Sequence, residues 1–221
     1  LTDMDAFLDE IGGKDSYIPL ALNYGRTSDG KLYTLPLELS TEMIWYNVDM
    51  FKDAGIEAPK TLDELLEDCK ILKEKGYTAF GIGGGDGWPL LRLLATYPFR
   101  MTGNEYLNKL SLGEAKMSDE PGVKAATFMS EIGQYFQPGF STTDVATGLN
   151  LFLSGKSAMY PTGTWELNYF TDKNRPEGLN VDYFYMPTIK DAKTSANDYW
   201  AFGGIGLSVN PKVFDEQYKD Y

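Results

Sequence analysis

The sequence contains no histidine. That absence removes His-based triads, His general bases and His metal ligands together. Cysteine is nearly absent as well: Cys69 stands alone, so no intrachain disulfide can form. It sits where Leu62, Leu65, Leu66, Cys69 and Leu72 recur at helical spacing, which predicts a buried, inert thiol rather than a nucleophile. Positive charge is scarce, with 20 Lys and Arg against 32 Asp and Glu and a net charge of −12. Nucleic acid is therefore excluded as a partner, since its phosphates need clustered Lys and Arg. An anionic membrane surface is disfavoured for the same reason. No apolar run approaches the length of a spanning helix. No secretory signal is recognisable, so the sequence reads as a mature form, a trimmed piece or a cytoplasmic chain.

What is present is ordinary in bulk and generous in aromatics. The 221 residues suffice for one large domain or two modest lobes. Hydrophobic residues make up 43% and charged residues 24%, as in a globular protein. Fifteen Tyr and four Trp supply broad amphipathic rings, which build cores and also bind flat ligands.

Periodicity and punctuation predict alternating strands and helices. Residues 1–11 read as a helix stopped by Gly12-Gly13, and 31–39 and 41–46 as extended chain. Asn47 caps a short helix ended by Gly55. Thr61 and Glu64 form a capping box that opens a helix through Lys75, stopped by Gly76. A strand follows over 77–82, then a helix from about Trp88 and two more over 121–133 and 144–153. Strand 157–160, helix 165–170, strand 181–186 and a glycine-punctuated strand over 201–209 complete the pattern. Asn210-Pro211 would cap a last helix. The alternation indicates an α/β architecture.

Three stretches are candidate sites. In Phe80-Gly-Ile-Gly-Gly-Gly-Asp-Gly-Trp-Pro, five glycines fall within seven residues ahead of a helix, the arrangement that can hold a phosphate. The spacing fits neither phosphate pattern: Asp86 or Trp88 stands where a dinucleotide fingerprint needs its third glycine, and no Lys-Ser/Thr follows. Asp86 would also repel an anion. The loop is then a plain connection or a ligand loop, with Trp88 at the loop–helix junction as core or site. The second stretch, Phe152-Leu-Ser-Gly-Lys-Ser-Ala-Met-Tyr-Pro-Thr-Gly-Thr-Trp165, places Trp165 at another strand-to-helix junction. If both strands share one sheet, Trp88 and Trp165 face one crevice. The third is the polar segment of Glu38, Ser40, Thr41 and Glu42, able to bond a ligand or to form a solvated edge. The scattered acids Glu38, Glu42, Asp86 and Glu166 leave a glycosidase as an alternative, which would need two of them about 5–9.5 Å apart.

The combined motifs resemble a known family. Leu32-Tyr-x-Leu-Pro, Ile44-Trp-Tyr-Asn47, Ala54-Gly55-Ile56 and Pro59-Lys-Thr-Leu-Asp-Glu-Leu65 are similar to the extracellular solute-binding proteins of ABC importers, the sugar-binding group that includes maltose-binding protein. Phe152-Leu-Ser-Gly-Lys-Ser-Ala-Met159, Gly163-Thr-Trp165 and Phe202-Gly-Gly-Ile-Gly-Leu-Ser-Val209 continue the resemblance along nearly the whole chain.

The resemblance implies an α/β, periplasmic-binding-protein-like fold of two lobes around a ligand cleft, with mostly the second lobe present. Residues 1–37 would be part of the first lobe and a crossing strand, 38–185 the second lobe, and 186–221 the return strand and the start of a first-lobe helix. It implies that Trp165 stacks on a sugar ring, that Trp88 lies near it, and that Glu38, Ser40, Thr41 and Glu42 meet sugar hydroxyls. Gly203 and Gly204 would let the ligand approach, with Asp86 and Trp200 as further contacts. The implied function is non-catalytic capture of a sugar or oligosaccharide for an ABC permease, by a monomer without cofactor or metal. The implied location is extracytoplasmic, either periplasmic or lipid-anchored. The alternatives are a glycoside hydrolase and a stand-alone carbohydrate-binding protein.

Overall fold

A computed structural model describes residues 1–212. It separates into two compact units, Leu1–Thr41 with the chain from Ala201 onward, and Glu42–Trp200.

The smaller unit is built around Met4, Leu8, Leu22, Leu32 and Leu35. Helix α1 (Asp5–Glu10) supplies Leu8, and Gly12, at φ +64°, ends it as the Gly-Gly pair predicts. Helix α2 (Pro19–Tyr24) starts on proline, whose missing N–H costs nothing at a helix's first position. The extended stretch over 31–39 contains only a short strand, β1 (Leu35–Pro36). β1 pairs antiparallel with β6 (Gly206–Leu207). The expected strand over 201–209 is thus broken. β5 (Ala201–Phe202) and β6 are separate because Gly203 and Gly204, the latter at φ +56°, turn the chain between them.

The larger unit is organised by β2 (Ser40–Asn47), which enters it at Glu42 and continues through the bulky run over 43–46. Its alternate residues point to opposite faces, and both faces are covered. Ile44 joins Phe80, Ile82, Met159 and the apolar faces of α4 and α7 on one side. Met43 and Trp45 join Leu149, Phe152, Tyr160 and Phe170 on the other. Strands β3 (Met159–Gly163) and β4 (Val181–Phe184) flank β2, both antiparallel, with Trp45 opposite Tyr160 and Tyr183. The 77–82 segment adds to the sheet through Phe80 alone, bridged in parallel to Met159 and Phe136. The helices are α3 (Val48–Ala54), α4 (Leu62–Glu74), α5 (Trp88–Thr102), α6 (Glu105–Ser111), α7 (Glu120–Ile132) and α8 (Val145–Leu153). Helices alternate with a mixed sheet, so the α/β expectation holds.

Local signals explain the helix boundaries. The Asn47 side chain accepts the N–H groups of Asp49 and Met50, and Gly55 at φ +70° closes α3. Thr61 and Glu64 form the reciprocal capping box of α4, an arrangement worth about 1 kcal/mol. Cys69 is fully enclosed among the α4 leucines, and burial pushes its thiol far above the usual range.

Two expectations are corrected. β3 does not stop at Tyr160 but runs through Pro-Thr-Gly to Gly163, paired with β2 as far as Glu42. Pro161 is accommodated within this short ladder, opposite Ile44. The following helix, Thr164–Phe170, is a 3-10 helix rather than an α-helix. α6 is an addition that its polar sequence conceals. The last helix expected after Pro211 falls, beyond Lys212, outside the described residues.

Candidate functional site

The two junction tryptophans come together. Trp88 opens α5 immediately after Gly87, whose φ of +76° turns the glycine loop into the helix. Trp165 stands two residues past the end of β3. Their ring centroids are 5.6 Å apart with planes at 70°, an edge-to-face corner. Both are half-buried, so each presents part of its surface to solvent. The sequence gly-x-trp has a physical basis here, because the Trp165 ring folds back over Gly163 into the space of a missing Cβ. Beside them, the Thr162 hydroxyl donates to Glu166 Oε2 at 2.7 Å.

The glycine loop owes its composition to packing. A Cβ on Gly83 would come within 2.5 Å of the Val145 backbone, and one on Gly84 within 2.6 Å of the Phe140 carbonyl. The loop is therefore pressed against the start of α8. Asp86 reaches across, its Oδ2 accepting the Val145 N–H at 2.7 Å, while Asp144 accepts that of Thr147 at 2.7 Å. Two of the protein's own carboxylates occupy the α8 N-terminus, where an anion would otherwise bind. Asp86 acts here as a helix cap.

Glu42 is 3% exposed and paired with Arg92, whose Nε lies 2.8 Å from Oε2. Burial raises the Glu42 carboxyl above its ordinary range, and the charge of Arg92 opposes that shift. The crevice around the pair, lined by Glu42, Met43, Trp88, Arg92, Pro161 and Thr162, is too tight to hold a water. Trp200 donates its indole N–H to Thr96 Oγ1 at 3.2 Å and packs on Phe99 with centroids 5.0 Å apart. In the smaller unit, Ser40 and Thr41 lie in the ladder opposite Phe202 and Ala201, and Ser40 is buried. The space above Gly203 is filled by the Tyr24 ring, and that above Gly204 by the Glu38 side chain. Those glycines make room for the protein's own side chains.

Sequence reasoning overlooked Arg92, Thr96 and Arg100. Arg100 is 1% exposed. Its guanidinium donates to the carbonyls of Met186 (2.7 Å), Pro187 (3.2 Å) and Ser195 (2.6 Å) and to Thr194 Oγ1 (3.2 Å). Burial lowers its pKa, although its charge is solvated by oxygen on every side. A signal was available: Trp88, Arg92, Thr96 and Arg100 recur every fourth residue along an otherwise apolar helix. Among the described residues no group of three or more His, Cys, Asp or Glu is placed to hold a metal, and no helix is long and apolar enough to cross a membrane.

Comparison with known proteins places these observations. The family described as bacterial extracellular solute-binding protein matches residues 1–212. An uncharacterized ABC transporter extracellular-binding protein of Pyrococcus horikoshii is 30% identical over 159 residues, covering 70% of this chain and 35% of its own. The multiple sugar-binding protein of Streptococcus mutans is 26% identical over 191 residues, covering 83% of this chain and 44% of its own. A solved chitin oligosaccharide binding protein superposes with a TM-score of 0.79 at 28% identity, over 96% of this chain and 53% of that one. The chain thus spans less than half the length of these curated relatives.

Proposed function

Because the chain belongs to the bacterial extracellular solute-binding proteins, we propose that it is part of a protein that captures a sugar or oligosaccharide for an ABC importer. The corner made by Trp88 and Trp165 carries this reading. A pyranose has an apolar C–H face and a rim of hydroxyls. An indole plane covers the face, and a neighbouring polar group such as Glu166 takes the rim. Two indole planes at a steep angle grip a ring on two sides. The names of the Streptococcus mutans and chitin oligosaccharide relatives point to the same ligand class.

The family location is extracellular, and a lipid anchor is part of the proposal. In the whole protein the ligand would lie between two lobes, of which 38–185 is the second. Contacts to both lobes would favour the closed form, because only differential affinity for the two states drives closure. A permease would recognise that closed form. Of the polar residues first considered, Glu38, Ser40 and Thr41 remain candidate contacts by resemblance. Capture breaks no bond, so the lack of histidine costs nothing.

The test is calorimetry of the complete protein against mono- and oligosaccharides, with and without Trp165→Ala. We expect saturable heat without products and a loss of about 1–3 kcal/mol on substitution, the worth of an aromatic stack and its buried area. Product formation would point to hydrolysis, and unchanged affinity would remove Trp165 from the site.

A further inference from the structure

Besides its apolar contacts to the core through Leu93 and Tyr97, helix α5 carries side chains spaced four residues apart, a stripe that winds slowly along one side of a helix. Its upper end is Trp88, at the aromatic corner. Its lower end is Arg100, which holds the chain at 186–187 and 194–195. Between them, Arg92 and Thr96 touch two residues of particular position. The chain passes between the two compact units at 41/42 and again at 200/201. Glu42 and Trp200 are therefore the last residues of the larger unit on each side. They are also bonded to each other, the Glu42 N–H donating to the Trp200 carbonyl at 3.0 Å.

Both are tied to the same turn of α5. Arg92 forms an ion pair with the Glu42 carboxylate, its Nε 2.8 Å from Oε2. The Trp200 indole donates to Thr96 Oγ1 at 3.2 Å, and that hydroxyl in turn donates to the Arg92 carbonyl at 2.8 Å. Thr96 is fully enclosed, so no ligand can reach it. The Glu42 carboxylate, buried and already paired in a crevice too tight for water, cannot turn to a sugar hydroxyl without giving up its ion pair with Arg92. The Trp200 indole N–H is likewise engaged.

We propose that Arg92 and Thr96 are positioning residues: they fix the two passing segments at Glu42 and Trp200, and Glu42 and Trp200 serve solute capture through that anchorage, without contacting the ligand. The effect on capture rests on the solute-binding reading above; the anchorage itself does not.

Thr96→Val, which exchanges the hydroxyl for a methyl group, and Trp200→Phe, which removes the indole donor together with part of the ring, test the anchorage from opposite sides. Amide hydrogen exchange in the complete protein reads it. The Glu42 amide is expected to exchange at least tenfold faster in both variants, with the Leu65 and Leu72 amides of α4 unchanged and Thr96→Ser at the wild-type rate. Equal acceleration throughout α4, or no acceleration at Glu42, overturns the anchorage. Titration of wild type and Thr96→Val with raffinose, xylotriose and chitotriose reads the coupling. A threefold or larger change in affinity at this enclosed residue supports it. Identical affinities for a sugar that the wild type binds overturn it. If the wild type binds no sugar in any screen, the sugar reading falls, and the exchange result still decides the anchorage.

Discussion

The ring of Trp165 lies over the backbone of Gly163, in the space where any other residue would carry its Cβ. The glycine is thus a seat for the aromatic group rather than a turn. Gly163→Ala should lift the ring from its place beside Trp88 and cost about 1–3 kcal/mol, as overpacking does. The near-ultraviolet circular dichroism of the tryptophan pair should change, and sugar affinity should fall with it. An unaltered spectrum with full affinity would show that the seat is dispensable.

Asp68 is buried on α4, and burial together with Glu64 and Glu67 pushes its carboxyl up to about 6. Between pH 4 and pH 6 the folded protein then holds a proton that the unfolded chain has released. Stability falls as pH rises through that window, and the full cost is present above it. Asp68→Asn should therefore stabilise the protein at pH 7 by about 1–2 kcal/mol, allowing for residual solvation, and by nothing near pH 4. Urea denaturation at the two pH values measures the difference.

Arg100 binds four oxygens, of which only the Ser195 carbonyl is shown with a second donor, the Asp198 N–H. Arg100→Met should leave the buried carbonyls of Met186 and Pro187 unpaired and destabilise by about 2–5 kcal/mol. Arg100→Lys should recover little, because an ammonium cannot reproduce the planar fork. Thermal denaturation of the two variants gives the comparison. A lysine variant close to wild type would mean that charge alone suffices.

Asp86 caps a helix to which it does not belong. Asp86→Ala should cost about 0.5–2 kcal/mol, the usual worth of an N-cap, while Asp86→Asn should retain most of it. Sugar affinity should stay within twofold in both, since the carboxylate faces α8.

What could be read from the sequence was what is decided within a few residues. Asn47, Gly55, Thr61 with Glu64, and Gly76 each announce a boundary because caps bond to their own neighbours. The positions of Trp88 and Trp165 at strand-to-helix junctions followed from the same punctuation. Their mutual approach was legible only on the condition that both preceding strands share one sheet; the continuation of β3 past Pro161 was not, because it depends on pairing with a strand more than a hundred residues away. The glycine loop shows the limit most clearly. Its turn at Gly87 was legible, but the reason for Gly83 and Gly84 lies in Val145 and Phe140. Arg92 and Arg100 escaped because a charged residue on a helix ordinarily faces water, and only their distant partners show otherwise.

The sealed environment of Cys69 has a practical side. A thiol that stays protonated and out of reach is silent toward maleimides and other thiol-directed reagents. A cysteine introduced anywhere on the surface would then be the one such reagents find, so a fluorophore or a spin label can be attached at a chosen place without first removing the native residue.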